Sequence, residues 1–295
     1  MIASEPASDA LVDAHVHSLA SDGVLTLRQL ANLARRSGLA ALAPCDHDVI
    51  HHPRDLDEAG SSAGVLLLPG VELTVAHHDR TLHLLAYGFD PSDAALQDAC
   101  ARRQAQRRQR WAMMTAALLR QRVRLDPRRL DRIGAGKSPG RRHLARELVA
   151  ARLATSVKNA FERFLSSINH GYVDDDPLHV ADAIRVVHNA GGKASLAHPP
   201  ANLTVADWRH LVSSGLDGVE ADYPRAAKNH RRFLQQRLAE YNLAATAGSD
   251  YHGDEPRDHL GGRTMTWNAW QSMLRREVVA HPPKTISQQS VAEPL

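Results

Sequence analysis

The chain has 295 residues, of which 43% are hydrophobic and 23% charged, and this composition excludes a disordered or collagen-like chain. The length is enough to bury a sizeable core, and it suits one large barrel-type domain or two ordinary domains. No apolar run reaches the roughly 18 residues of a membrane helix, and residues 1–10 lack the basic start and apolar stretch of a secretory signal. Two cysteines, Cys45 and Cys100, are too few for a disulfide framework, so we expect a cytoplasmic protein with no membrane contact.

The positive charge is concentrated in one segment. The formal net charge is +3, yet residues 101–152 alone contain 16 Lys and Arg against 3 Asp and Glu. That segment therefore carries +13, and the rest of the chain carries −10. A basic patch attracts phosphate-bearing partners, although a solvated Arg-rich helix face has the same pattern.

Residues 11–90 read as alternating strands and helices. Residues 11–17 alternate apolar and polar side chains as a strand does. Thr26 and Gln29 form a capping-box pattern that begins a helix, and Gly38 stands where that helix would end. Three apolar runs follow, at residues 39–45, 65–75 and 82–89.

The next part of the chain, residues 93–175, is dense in Arg, Gln and Ala and has no clear strand. We predict a helical insertion or cap domain there. It separates two parts of a discontinuous domain, residues 10–92 and 176–281, and we expect residues 1–9 and 282–295 to be flexible tails.

The alternation returns after residue 178. Because strands alternate with helices, the pattern predicts parallel strands covered by helices. The predicted helices span residues 181–190, 204–214 and 225–241, and the predicted strands span residues 193–197, 218–222 and 243–247.

Two histidines on the first strand are the first candidate metal ligands. His15 and His17 are two residues apart and would face the same side of a strand, where two imidazoles chelate a metal such as Zn, Mn or Fe. Surface histidines on a strand would give the same pattern.

Further His, Asp and Glu residues follow the apolar runs. They would meet at the carboxyl ends of successive parallel strands, the face of a barrel where chemistry is found. Taken singly, each has a structural alternative: a turn for Asp22, a buried ion pair for Glu72, a satisfied core histidine for His83. The remaining candidates are Asp46, His47, His198, Asp250 and His252.

The order of these motifs resembles that of the PHP (polymerase and histidinol phosphatase) family of metal-dependent phosphoesterases. The chain reads H-x-H, S-D-G, D-H-D, P-G-V-E, H-x-L-x-Y-G, A-H-P and G-S-D-x-H over roughly residues 11–281. The resemblance is greatest to the nucleoside 3′,5′-bisphosphate phosphatase and 5′-3′ exonuclease branch. It implies an α/β fold, a distorted, TIM-like (β/α)7 barrel with a helical insertion, and a centre of three divalent metal ions. Mn, Zn or Fe would serve, with Mn supporting activity best.

The resemblance also implies the ligand sets, and every ligand position is filled in this chain. His15, His17, Glu72 and Asp250 would bind the first ion, and Glu72 would bridge to the second. Asp46 would support this centre as part of the catalytic machinery. His83 and His198 would complete the second site, and Asp22, His47 and His252 would bind the third ion.

The phosphate-binding side departs from the family pattern. Arg141 and His143 match the G-R-x-H segment of the insertion. The lysine of the G-K-P-x-Y-V loop is missing at residues 169–173, and no cation follows Pro199. A second phosphate on the substrate would therefore be bound weakly.

These observations predict hydrolysis of a phosphate ester by a metal-activated hydroxide, with a nucleotide, a short oligonucleotide or another small phosphorylated metabolite as substrate. Arg141 would bind the phosphoryl group, and His143 would contact phosphate or protonate the leaving oxygen. Two alternatives stay open: an amidohydrolase-type enzyme that cleaves C–N bonds, and a nucleic-acid-binding module whose metals are not catalytic. No obligate protein partner is evident.

Overall fold

We analysed a computed structural model, which describes residues 5–165, 178–224, 226–254 and 259–276. Within these ranges the chain is a mixed α/β structure. The predicted tail 282–295 and the predicted phosphate loop at 169–173 lie outside the described residues. The strands are β1 (Leu11–Val16), β2 (Ala41–Pro44), β3 (Leu66–Leu67), β4 (Gly70–His77), β5 (Arg80–Tyr87), β6 (Lys193–Leu196), β7 (Gly218–Asp222), β8 (Ala244–Ala247) and β9 (Met265–Thr266).

In the described ranges, ten α-helices connect and cover these strands. Thr26 caps α1 in the predicted capping box, with the Gln29 amide donating to the Thr26 hydroxyl. Among the described residues no helix is both long and apolar enough to cross a membrane. The helices are α1 (Leu27–Arg36), α2 (Pro53–Ser61), α3 (Ala94–Arg120), α4 (Pro127–Gly134), α5 (Arg141–Ala150), α6 (Val157–Ala160), α7 (Val180–Asn189), α8 (Val205–Ser213), α9 (Lys228–Tyr241) and α10 (Trp267–Leu274).

The strands form two sheets, ordered β3-β2-β1-β9 and β4-β5-β6-β7-β8. The prediction of parallel strands is correct for β1-β2-β3 and for β6-β7-β8. It is wrong for β4-β5, β5-β6 and β1-β9, which are antiparallel. The reason is local: a two-residue turn after His77 sends the chain straight back as a hairpin, so no crossover helix separates β4 from β5.

The two sheets approach each other at both edges without forming one continuous barrel among the described residues. At one edge Val16 forms an isolated parallel bridge with Tyr251, just beyond β8. At the other edge His47 forms such a bridge with Glu72 at the start of β4. These edges lie where the motif residues are found, so the site is built across the junction of the two sheets.

The described part of the predicted insertion contains helices, from α3 to a π-helical turn at Phe161–Leu165. It has its own apolar cluster, in which Trp111, Met114 and Leu118 of α3 pack against Leu144 and Leu148 of α5. The cluster gives the insertion an internal core, and polar contacts described below attach it to the two sheets.

Candidate metal centre

The nine predicted ligands converge on one region between the sheets. His15 lies in β1 and His17 just after it, and His47 follows β2. The expectation that Glu72 stands at the end of a strand is wrong, because Glu72 lies inside β4. His83 lies inside β5, within the apolar run at residues 82–89. Pro69-Gly70 ends the apolar run at β3 and starts a new strand, so Glu72 is the third residue of β4.

Four ligand atoms form a first compact group. The Nε2 atoms of His15 and His17 are 3.2 Å apart, and they lie 3.4 and 3.3 Å from Glu72 Oε2. Asp250 Oδ1 lies 3.7 Å from His15 Nε2 and 3.3 Å from His17 Nε2. All four residues are buried, and their spacing is that of ligands around one ion.

Glu72 also connects a second group. Its Oε1 atom lies 2.9 Å from His83 Nδ1 and 2.9 Å from His198 Nε2, while its Oε2 atom lies 2.9 Å from His47 Nδ1. Glu72 Oε2, His47 Nδ1 and His83 Nδ1 are nonetheless buried without a hydrogen-bond partner among the described residues. Buried polar atoms that approach closely without bonding to each other fit a shared cation between them.

The third group brings together the residues of three separate segments. His252 Nε2 lies 3.3 Å from Asp22 Oδ1, and His47 Nε2 lies 3.8 Å from Asp22 Oδ2. His17 Nδ1 is 3.6 Å from Asp22 Oδ1. His47 therefore lies between the second and third groups, with one ring nitrogen toward each.

The carboxylates and imidazoles of the centre shift each other's pKa values. Burial opposes ionisation of Glu72, but the imidazoles of His47 and His83 hold its pKa well below the usual range. Burial also lowers the pKa of His17, but Asp250 and Glu72 raise it to about 10. Burial dominates at His83, whose pKa falls to about 4. Without metal, protonated histidines balance the carboxylates, and divalent cations would displace those protons.

Two histidines, His15 and His252, are oriented through the ring nitrogen that does not face the cluster, and His198 is held through its backbone amide. His15 Nδ1 donates to Glu220 Oε1 at 3.0 Å, and Glu220 Oε2 accepts from the His198 amide at 2.7 Å. His252 Nδ1 donates to the Asp250 carbonyl at 2.8 Å. Partners of this kind fix the tautomer so that Nε2 is free to bind a metal. Glu220 was not among the predicted site residues, although an acid within the apolar strand β7 was a usable signal.

Asp46 acts through a serine and does not reach the ligand atoms. His17 Nδ1 lies 3.3 Å from Ser21 Oγ, which in turn donates to Asp46. Asp46 also accepts from the Ser18 amide at 2.8 Å and from His51 Nε2 at 2.5 Å. Burial opposes its ionisation, but His51 and Ser18 contribute to a pKa of about 2. This arrangement favours a positioning role for Asp46.

The backbone is also adapted to the site. Asp250 and His198 have φ angles of 48° and 26°, a region that costs a non-glycine residue roughly 1–3 kcal/mol and is found mainly at functional sites. A side chain at Gly248 would collide with the His15 backbone and Cβ. The G-S-D motif thus needs its glycine to let the two strands approach.

The insertion reaches the metal centre through α5. Arg142 and Arg146 donate to the two oxygens of Asp254, each at 2.6 Å, and Arg146 also donates to the Asp22 carbonyl. These contacts attach α5 to the loops that carry Asp22 and His252. Arg142, Arg146 and Asp254 were not among the predicted site residues.

Arg141 and His143 lie at the start of the same helix. Arg141 is exposed, with its guanidinium 5.7 Å from the Phe161 ring centre. His143 Nδ1 accepts from the Gly140 amide at 3.2 Å. Burial lowers the pKa of His143 although Asp22 opposes this, so the ring is neutral near pH 7 and near the third group of ligands.

Comparison with known proteins identifies relatives along most of the chain. A family described as "PHP domain" matches residues 13–177. The 5′-3′ exoribonuclease Rnm of Escherichia coli is 28% identical over 88% of this chain and 94% of its own length. A phosphoribosyl 1,2-cyclic phosphate 1,2-diphosphodiesterase of Eggerthella lenta is 31% identical over 85% and 98%. A 3′,5′-nucleoside bisphosphate phosphatase of Chromobacterium violaceum is 27% identical over 84% and 90%.

Two solved structures share the fold. A Bifidobacterium adolescentis protein assigned as a metal-dependent phosphoesterase superposes with a TM-score of 0.82, at 30% identity over 92% of this chain and 97% of that one. A Chromobacterium violaceum protein described as an amidohydrolase, with bound sulfate and no metal, superposes with a TM-score of 0.78, at 25% identity over 89% and 95%.

Proposed function

The chain belongs to the PHP domain family of metal-dependent phosphoesterases, and from that premise we propose that it hydrolyses a phosphate ester of a nucleotide or short oligonucleotide. One observation carries the proposal. Nine metal-competent side chains converge between the two sheets, and Glu72 at their centre has a buried oxygen without a hydrogen-bond partner among the described residues. We further propose that the two sheets correspond to the two halves of the distorted barrel that the sequence predicts.

Three divalent ions fit the three groups of ligands. When bound, they would lower the pKa of water to supply a hydroxide and would neutralise charge on the phosphoryl oxygens. Glu72 contributes to two groups and His47 lies between two, so the sites would be linked. The carboxylates and bound water suit Mn²⁺, which we expect to support activity best, and the imidazoles also suit Zn or Fe. The first ion would be held by His15, His17, Glu72 and Asp250, the second by Glu72, His83 and His198, and the third by Asp22, His47 and His252.

The residues of α5 would handle the substrate. The exposed guanidinium of Arg141 offers the planar pair of donors that suits a phosphoryl group. The neutral His143 beside the third ligand group can bind a phosphate oxygen or, once protonated, give a proton to the leaving oxygen. Glu220 would hold the His15 ring in the orientation that metal binding requires, and Asp46 would do the same for the His17 ring through Ser21.

The basic insertion supports a nucleotide substrate. Residues 101–152 carry a net charge of +13, whereas the rest of the chain carries a net negative charge. Three relatives are named for activity on RNA, a cyclic phosphate and a nucleoside bisphosphate. Because no cation follows Pro199, we expect no strong requirement for a second phosphate on the substrate.

The amidohydrolase alternative has less support. In that reading a lysine at a strand end bridges the metals, whereas here Glu72 occupies the bridging place. Lys193, at the start of β6, pairs instead with Asp217 at 3.5 Å. A purely nucleic-acid-binding role is also disfavoured, because structural metal sites are closed by protein ligands whereas His83 and His198 keep about a quarter of their side chains exposed.

The experiment compares Mn²⁺-loaded enzyme on AMP, a nucleoside 3′,5′-bisphosphate, a short 5′-phosphorylated RNA and an N-acyl amide. We expect kcat/KM to be highest for one of the three phosphate esters. Arg141→Ala should lower that value by about tenfold or more, whereas Arg120→Ala, on an exposed arginine of the same insertion, should change it little. Preference for the amide, or equal effects of the two arginine variants, would contradict the proposal.

A further inference from the structure

A second group of metal-competent side chains lies at the tip of the β4–β5 hairpin. It consists of His77, His78 and Asp207, with His210 beside them. His77 is five residues beyond Glu72 along β4, or roughly 16 Å at the rise of a strand. The group is therefore outside the metal centre described above.

The fold brings these residues together from two elements. His77 ends β4 with 1% of its surface exposed, and His78 follows in the hairpin turn with a φ of 53°. Asp207 is the third residue of α8, and His210 lies one turn further on. Because residues three apart share one face of a helix, Asp207 and His210 both face the hairpin.

The distances between the candidate ligand atoms are close to those between the ligand atoms of one bound metal ion. Asp207 Oδ1 lies 2.9 Å from His77 Nε2 and 3.8 Å from His78 Nε2. The ring centre of His210 is 5.2 Å from that of His77 and 5.6 Å from that of His78. The candidate ligand atoms of His77, His78 and Asp207 lie within 4.8 Å of one another. A tetrahedral zinc ion separates its ligand atoms by roughly 3.3 Å, so small side-chain rotations would close the set.

The hydrogen bonds within the group leave some of its oxygen and nitrogen atoms able to bind a metal. The Asp207 Oδ2 atom accepts from the amide and hydroxyl of Thr204, which caps α8. Its Oδ1 atom is thereby directed to the histidines. His77 has one proton to give to Asp207, and its Nδ1 is buried with no hydrogen-bond partner among the described residues. Burial lowers the pKa of His77 despite Asp207, so the ring is neutral at pH 7, as a metal ligand must be.

We propose that His77, His78, Asp207 and His210 bind one Zn²⁺ ion that joins the β4–β5 hairpin to α8. Three imidazoles and one carboxylate are donors that zinc accepts in a closed, tetrahedral, structural site. Mn²⁺ prefers oxygen donors and competes poorly for such a set. The ion would stabilise the hairpin that carries Glu72 and His83 into the metal centre.

The test measures zinc stoichiometry in the full-length protein. Wild type, His78→Ala/His210→Ala and the control His259→Ala are stripped of metal, equilibrated with the same buffered Zn²⁺ and analysed by atomic emission. All three positions are exposed, so the variants should fold. We expect the double variant to bind one zinc per chain fewer than wild type and the control to bind the same number. Zinc should also raise the melting temperature of wild type more than that of the double variant.

Mn²⁺-dependent turnover provides the check on folding and should be the same in all three proteins. Equal zinc content and an equal zinc-induced rise in melting temperature in wild type and the double variant would overturn the proposal. In that case the His77–Asp207 contact is a buried hydrogen bond only. The phosphoesterase proposal is unaffected by either result, because it concerns other residues.

Discussion

At the scale of single residues, the metal centre depends on groups that are not ligands. Glu220 uses both carboxylate oxygens, one for His15 Nδ1 and one for the His198 amide. Ser21 and Asp46 hold His17 in a similar way. Such partners set which ring nitrogen is free, and losing them typically costs 10–100-fold in metal affinity or activity.

We therefore expect Glu220→Gln to lower kcat/KM by about 10–100-fold, because a glutamine offers one acceptor where two are needed. Raising the Mn²⁺ concentration should restore part of the loss, which a general folding defect would not allow. Glu58→Gln is the matched control, since Glu58 is an exposed acid paired with Arg54. A Glu220→Gln enzyme with wild-type kcat/KM and metal affinity would show that Glu220 has no such role.

A second residue-scale prediction concerns acid stability. The Thr204 amide and hydroxyl lower the pKa of Asp207 from its usual range to about 2, with a further contribution from His77. A lowered folded-state pKa stabilises the protein above pH 4, and this contribution is lost as the pH falls toward 2. In chelator, the free-energy advantage of wild type over Asp207→Asn should shrink by roughly 1 kcal/mol between pH 6 and pH 3.

Urea unfolding at the two pH values measures this difference. Asp98→Asn is the control, because Asp98 is an exposed partner of Arg102. The difference in free energy of unfolding between wild type and Asp98→Asn should not change with pH. If the free-energy advantage of wild type over Asp207→Asn stays constant or increases toward pH 3, the pKa of Asp207 is not lowered.

At the residue scale, sequence motifs predict the nine candidate ligands that the structure brings together, but not the residues that contact them. His15, His17 and Asp250 stand in short patterns whose spacing is chemically specific. Glu220 stands alone in its strand, and Asp254 follows the last motif without a pattern of its own. Their roles depend on contacts between segments far apart in the chain, and spacing along one segment carries no information about such contacts.

At the scale of elements, one buried ion pair attaches α3 to the sheets. Arg107 Nε lies 2.5 Å from Asp48 Oδ2, and Arg107 also donates to Thr74 Oγ1 at 2.6 Å. Asp48 is fully buried and also accepts from the Thr74 amide at 2.7 Å. Removing one partner of a buried pair leaves an uncompensated charge, which costs about 3–5 kcal/mol.

Arg107→Ala should accordingly lower the free energy of unfolding by roughly 3 kcal/mol, measured by urea denaturation. Arg102→Ala, on the same helix and in an exposed pair with Asp98, should cost under about 1 kcal/mol. Similar small losses in both variants would mean that α3 is held to the sheets by other contacts.

Element boundaries followed from local patterns, whereas strand direction did not. The capped helix after Thr26 and the strand Gly218–Asp222 were predictable because capping and alternation are local signals. The β4–β5 hairpin was not, because apolar runs are the same in parallel and antiparallel sheets. Its turn at His78-Asp79 also lacks the glycine that usually marks a tight hairpin. β9 has two residues, which is too short for any periodicity.

At the scale of the whole molecule, two sheets and a basic insertion surround one cluster of acids and histidines. The isolated bridges at both sheet edges hold strands of different sheets against each other at the ligands. The insertion is attached near the same place, through Arg146 at Asp22 and Asp254. An anionic substrate would therefore meet arginines from the insertion and metals from the sheets at the same time.

The most direct measurement of the central claim is phosphate release from AMP by enzyme stripped of metal and then titrated with Mn²⁺. Metal-free enzyme should be inactive and should regain turnover as Mn²⁺ is added. Asp250→Asn should remain folded by circular dichroism yet stay below about 1% of wild-type kcat/KM at saturating Mn²⁺. Full turnover by exhaustively chelated enzyme, or by Asp250→Asn, would contradict the assignment of this cluster as the catalytic metal centre.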